Sequence, residues 1–187
     1  MSHPHLSSDR ALMITQLYGL LRRTGYKGVT MEEIARSTGL AAADLEVQFP
    51  GGKPEIAQAV LHFAHTWIGD RIICALRQNA PFQDRLEEML NAVQELYSGG
   101  REPCIVASMM VGAEDPELSE TLCLLLIDWL AALRAALVEH GLAAEIAETK
   151  AAAIVGRIEG GLMLARALDA PRLFTEALDA VRNEVWL

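Results

Sequence analysis

Thr30-Met31-Glu32-Glu33-Ile34-Ala35-Arg36-Ser37-Thr38-Gly39-Leu40-Ala41-Ala42-Ala43-Asp44-Leu45-Glu46-Val47-Gln48-Phe49-Pro50 is the stretch that decides the fold. Thr30 followed three residues later by Glu33 forms a capping box, in which hydroxyl and carboxylate each satisfy a free backbone N–H at a helix start. Ile34 and Ala35 face inward, and Gly39 supplies a tight turn. A short segment from Ala42 to Gln48 follows, ended by Phe49-Pro50-Gly51-Gly52. Upstream, Asp9 to Thr24 reads as an amphipathic helix whose apolar stripe is mostly Leu12, Leu17, Leu20 and Leu21. Gly25 ends that helix and Gly28 marks the next turn. A supporting helix, a short helix, a glycine turn and another short helix make the helix-turn-helix plan. The same spacing also fits an αα-hairpin that only packs.

Composition agrees with a helical chain of one or two domains. Of 187 residues, 51% are hydrophobic but only 5% aromatic. Ala and Leu dominate, and both lose little rotamer freedom in helices. Three cysteines (Cys74, Cys104 and Cys123) form no CxxC pair. Their apolar settings predict reduced, buried thiols in a cytoplasmic protein. Met1 to Asp9 has no apolar core of a signal peptide, and His3 and His5 fall in an end expected to be disordered. Leu122 to Val138 is apolar but interrupted by Asp128 and Arg134. It is shorter than the roughly 20 residues of a membrane span and is expected to be a buried helix.

The formal net charge of −9 excludes broad, nonspecific nucleic-acid binding. Residues 1–56 are neutral, with Arg10, Arg22, Arg23, Lys27, Arg36 and Lys53 against Asp9, Glu32, Glu33, Asp44, Glu46 and Glu55. The excess negative charge lies beyond them, which is compatible with DNA contact through a few placed cations.

Further helices follow in series. Pro54 sits in the first turn of a long helix reaching about Asn79, and Pro81 blocks its extension. Phe82 to Tyr97 is closed by Ser98-Gly99-Gly100, and Cys104 to Val111 is short and apolar. Glu117 to His140 ends at Gly141, Ala144 to Leu168 follows, and a last helix starts near Pro171. No strand alternation and no internal repeat appears.

Gly25-Tyr26, Val29-Thr30-Met31, Ile34-Ala35, Gly39-Leu40, Leu45, Phe49 and Lys53 together make the stretch from Ala11 to Leu61 resemble the DNA-binding domain of the TetR family. Phe49-Pro50-Gly51-Gly52-Lys53 resembles the branch that includes the LmrA-type repressors. Glu159-Gly160-Gly161-Leu162 with Ala165-Arg166 is similar to the penultimate helix of that branch. The resemblance implies an all-α protein with a three-helix helix-turn-helix domain over residues 1–56 and a helical ligand-binding and dimerisation domain over 57–187. It implies a cytoplasmic, ligand-responsive repressor that reads a pseudo-palindromic double-stranded operator as a homodimer. Thr30 and Lys53 would meet phosphates. Gln48 would pair with adenine, Ala42 or Ala43 would meet a thymine methyl, and an acidic side chain would accept from cytosine. Lys27 completes the set of candidate DNA contacts.

The chain departs from the family pattern at three places. Ala41 stands where a Ser or Thr is usual, Ala42 where a Lys or small polar residue is usual, and Glu46 where a Tyr contacts the backbone. Ala41 leaves the third helix without a side-chain cap, at about 1 kcal/mol. Asp44 and Glu46 set two carboxylates against phosphate, whose neutralisation dominates affinity. The alternative reading is a dimeric sensor or interaction module with a degenerate reading head.

Leu118 to Val138 is apolar nearly all round, as expected of a helix packed on its own core and on a partner. Ala152, Gly156 and Gly160 recur every four residues, a smooth stripe for close backbone approach. Together they predict an isologous dimer built as a four-helix bundle. Candidate lining residues for a small organic effector are Phe63, Trp67, Met89, Tyr97, Cys104, Ser108 and Trp129, although such residues also build plain core. Arg157 and Glu159 would anchor a polar group or pair with each other at the dimer edge. No nucleophile elbow, zincin motif or dinucleotide fingerprint occurs, so neither an enzyme nor a cofactor is expected. His62 and His65 lack a third ligand, and no metal or membrane partner is expected.

Overall fold

The computed structural model describes residues 8–111 and 115–184, and all its regular elements are helical. His3 and His5 lie outside the described residues. The helices are α1 (Ser8–Gly28), α2 (Met31–Thr38), α3 (Ala42–Gln48), α4 (Gly52–Ile68), α5 (Cys74–Leu76), α6 (Phe82–Leu96), α7 (Ile105–Met110), α8 (Pro116–Glu139), α9 (Ala144–Ala167) and α10 (Arg172–Arg182). A π-helical turn, Gly69–Ile73, joins α4 to α5, and a 3-10 turn, Ser98–Gly100, follows α6. The chain forms two compact units: Met1–His65 with Ile105–Leu122, and Thr66–Cys104 with Cys123–Leu187.

In the first unit, Gly25 breaks α1 with a φ of 71°. The inward row of α1 is Met13, Ile14, Leu17 and Leu21. Leu12 is 61% exposed, which corrects its place in the expected stripe: the i, i+4 row runs through Met13 and leaves Leu12 on the neighbouring face. α7 packs against α1, with the Ser108 carbonyl oxygen 2.6 Å from where a Cβ on Gly25 would stand. At this place a positive φ and a close backbone approach both require glycine.

In the second unit, Ile72, Leu76, Leu86, Leu90, Val93, Leu133, Ile158, Phe174 and Leu178 fill the interior. The buried Arg85 donates to the Leu76 carbonyl at 3.0 Å and to Glu139 at 2.7 Å, so the last carbonyls of α5 meet a cation. α9 and α10 pack closely, and a Cβ on Gly161 would come within 2.4 Å of the Ala177 Cβ.

α8 is long and apolar enough to cross a membrane by length and composition. Leu125, Trp129, Leu133 and Leu137 turn inward, while Leu124, Ile127 and Val138 are exposed. One side of the helix is buried in its own core and the other leaves an apolar face uncovered. The cysteines are corrected too: Cys104 is buried, but Cys74 and Cys123 are exposed. Cys74 falls between the buried Ile73 and Ala75, and Cys123 lies on the exposed side of α8 beside Leu124.

Gly161→Ala is expected to cost roughly 1–3 kcal/mol, the usual penalty for overpacking. Urea denaturation reads it as a lower midpoint. An unchanged midpoint would contradict the close α9–α10 approach.

Candidate nucleic-acid interface and sensor core

The reading head begins at Thr30, whose Oγ1 accepts from the Glu33 amide at 3.2 Å while the Glu33 carboxylate accepts from the Thr30 amide at 2.9 Å. The Thr30 hydroxyl also donates to that carboxylate, at 3.3 Å. Thr30 is exposed, but its amide and its hydroxyl proton are both engaged with Glu33. Gly39 takes the left-handed conformation and its amide closes α2 on the Ala35 carbonyl at 2.9 Å. Ala41, the N-cap of α3, makes no side-chain cap.

Only two residues fasten α3 inward: Leu45 and the following Phe49, each 1% exposed. Ala42, Ala43, Asp44, Glu46 and Val47 are exposed and Gln48 is half-buried. The carboxylates of Asp44 and Glu46 have no hydrogen bond or ion pair among the described residues. Gln48 lines a groove of about 650 Å³ with Arg10, Leu12, Met13, Gln16, Thr38, Leu40 and Val47. The Arg10 guanidinium lies over the Phe49 ring, 5.4 Å from its centroid.

Lys53 starts α4 beside this head. Its ammonium donates to the Val29 carbonyl at 2.8 Å and stands 4.8 Å from the Tyr26 ring centroid. One hydrogen bond leaves an ammonium with further donors. Lys27 is exposed in the last turn of α1.

The effector candidates divide between the two units. Phe63 and Ser108 belong to the first, where Phe63 packs edge-on to Tyr18. Trp67, Met89, Tyr97, Cys104, Trp129 and Arg157 belong to the second. There the Trp129 indole N–H points at the Met89 sulfur, 3.4 Å away, deep in the core. Trp67 is half-buried and carries the Arg71 guanidinium over its ring.

Buried Tyr97 and Cys104 form one polar group with the half-buried Glu159. The Tyr97 hydroxyl donates to Glu159 Oε1 at 2.8 Å, the Cys104 thiol interacts with both, and Phe174 packs edge-on to the Tyr97 ring. Burial pushes the Glu159 carboxyl up, against the lowering effect of the Tyr97 and Cys104 hydrogen bonds. Burial, with Cys104 and Glu159 adding to it, holds the Tyr97 phenol well above its ordinary value.

Arg157 is not part of this group; it is exposed and pairs with Glu184 at 3.1 Å. The two residues expected to act together thus point to opposite surroundings, because neighbours two apart on a helix do not share a face. No group of three His, Cys, Asp or Glu placed to hold a metal occurs among the described residues. Val47 escaped the sequence reading, although two residues from the anchoring Leu45 is where a helix points outward.

Residues 79–181 match the family model described as the C-terminal domain of LmrA/YxaF-like transcriptional regulators. The matched stretch exceeds half the chain, and with the helix-turn-helix it defines the class: the chain belongs to the TetR family of transcriptional regulators. Within that family it falls in the LmrA/YxaF-like branch. Solved structures share the fold. A TetR regulator from Legionella pneumophila is 17% identical with a TM-score of 0.84, covering 95% of this chain and 97% of that one. A TetR regulator from Chloroflexus aurantiacus is 20% identical with a TM-score of 0.77, covering 93% and 92%. FadR from Bacillus subtilis, solved with stearoyl-CoA, is 17% identical with a TM-score of 0.69, covering 94% and 99%. Curated protein sequences gave no match.

Glu159→Gln is expected to flatten part of the pH dependence of stability. Between the ordinary carboxylate value and the raised one, the unfolded chain releases its proton first, so the native protein loses relative stability as pH rises. The variant has no such proton to lose, and its advantage over wild type should grow from acidic toward neutral pH. Parallel thermal-stability curves would contradict a raised, titrating Glu159.

Proposed function

We propose that the chain is a ligand-responsive repressor of the cytoplasm that binds a pseudo-palindromic DNA operator as a homodimer. The observation that carries this reading is the exposed α3, held from beneath by Leu45 and Phe49 behind a capped α2, on a chain of this family. Such a helix presents its outer face to the major groove. Lys53 supplies phosphate grip at the head's edge, Lys27 adds a second cation, and Thr30 lies at the same edge through its exposed position before α2.

The dimer reading rests on uncovered apolar surface. Ile127 on α8 and Met163 and Leu164 on α9 are exposed at 54%, 64% and 46%. Large apolar side chains exposed on both α8 and α9 support a partner covering this side. A Cβ on Gly156 or Gly160 would meet nothing within 4 Å, so the predicted small-residue stripe lies open rather than in the protomer's own core. A two-fold partner covering it sets two copies of α3 in symmetric positions, the symmetry of a palindromic site.

For the effector we propose a small organic molecule seated in the second unit, near Met89, Tyr97, Cys104 and Trp129. FadR's complex with stearoyl-CoA supports this reading by showing a ligand on the shared fold. Cys104 ends one stretch of the second unit, and the next residue, Ile105, opens the segment that belongs with the reading head. A ligand that rearranges the Tyr97–Cys104–Glu159 group therefore acts on the chain directly ahead of α7.

Fluorescence anisotropy with DNA from upstream of the protein's own gene tests the reading. Binding is expected to be site-specific and to weaken with salt, with Lys53→Ala lowering the salt slope by about one and weakening all sequences alike. Absence of binding at low salt, with and without candidate effectors, would contradict it. Ile127→Glu combined with Met163→Glu is expected to convert the dimer to a folded monomer in sedimentation analysis. A double variant that still sediments as a dimer would place the interface elsewhere.

A further inference from the structure

We infer that Glu46, set between Ala43 and Val47, is the residue by which the head selects its operator, and that it reads the amino group of a cytosine lying beside a thymine. The inference rests on the DNA-binding reading above and names the bases that the same helix recognises.

Leu45 fixes the orientation of α3. At 100° per residue, Ala43 and Val47, each two positions from Leu45, lie roughly 160° away from it. They are therefore the outermost points of the helix, and Val47 is 79% exposed. Glu46 adjoins both: Ala43, Glu46 and Val47 stand at i, i+3 and i+4, which makes one continuous patch. Ala42 and Gln48, each three positions from Leu45, lie only about 60° from it, and Gln48 is half-buried. The reading set is accordingly Ala43, Glu46 and Val47, not the Ala42 and Gln48 that residue type alone favours.

The chemistry of the patch selects the bases. An ionised carboxylate only accepts hydrogen bonds, and the Glu46 carboxylate has no donor among the described residues. In the major groove guanine and thymine offer acceptors, which repel it. Adenine offers an amino group beside the N7 acceptor, and cytosine an amino group alone. Cytosine is therefore the best match. The methyl groups of Ala43 and Val47 lie together to one side of the carboxylate and complement a thymine methyl on the neighbouring pair. A carboxylate that weakens the phosphate attraction of the head thereby gains discrimination between bases.

Affinity selection from a random duplex library at low salt, with wild type, Glu46→Gln and Val47→Ala, tests this, followed by anisotropy on the selected site. The wild-type half-site is expected to hold a cytosine next to a thymine. Replacing that C·G pair should weaken binding roughly 5- to 150-fold. Glu46→Gln should still bind yet lose the cytosine preference, and Val47→Ala should lose the preference for the adjacent thymine. Wild type and Glu46→Gln selecting the same base at every position would overturn the inference while leaving DNA binding intact. If none of the three proteins enriched any sequence, the DNA-binding reading would fall and this inference with it.

Discussion

The arrangement of the first unit depends on one backbone contact. At Gly25 the chain leaves helix α1 with a positive φ, and the Ser108 carbonyl lies where any side chain would have to stand. That contact lets α7, more than 80 residues downstream, lie directly against α1. The reading head is therefore not a purely N-terminal object. Its supporting helix α1 is backed by α7, a helix reached only after the chain has built part of the second unit. The chain passes from the second unit back to the first at the Cys104–Ile105 junction.

The electrostatics of the head follow a different balance from the usual one in DNA binding. Helix α3 has an alanine N-cap, two exposed carboxylates and no basic residue in its last turn. In the proposed reading its grip comes from cations outside it, foremost Lys53, whose ammonium donates to the Val29 carbonyl beside the Tyr26 ring. Affinity carried at the edge and discrimination carried at the centre are separable functions, since phosphate contacts position a protein and base contacts specify its site. A net charge of −9 on the whole chain works in the same direction, because it suppresses nonspecific attraction to DNA.

Local chemistry made much of this legible in the sequence. The capping box at Thr30 and Glu33, the turn at Gly39 and the bounds of α3 are short-range features, and the structure reproduces them. What was not legible depends on partners distant along the chain. The fate of Glu159 is decided by Tyr97, which lies 62 residues away and gives its carboxyl a buried donor, while Arg157 finds Glu184 instead. Cys74 and Cys123 have apolar neighbours in sequence but face outward, since adjacent helix positions differ by about 100°. The interleaving of Ile105–Leu122 with the reading head left no local mark at all.

The central claim is that this chain occupies discrete, symmetric DNA sites. Genome-wide mapping of crosslinked DNA in the source cell tests that claim most directly. The account predicts a few sharp occupied regions, each containing two inverted half-sites, and their loss in Lys53→Ala. Recovery no different from that of an untagged control, or uniform recovery without a shared inverted repeat, would contradict it.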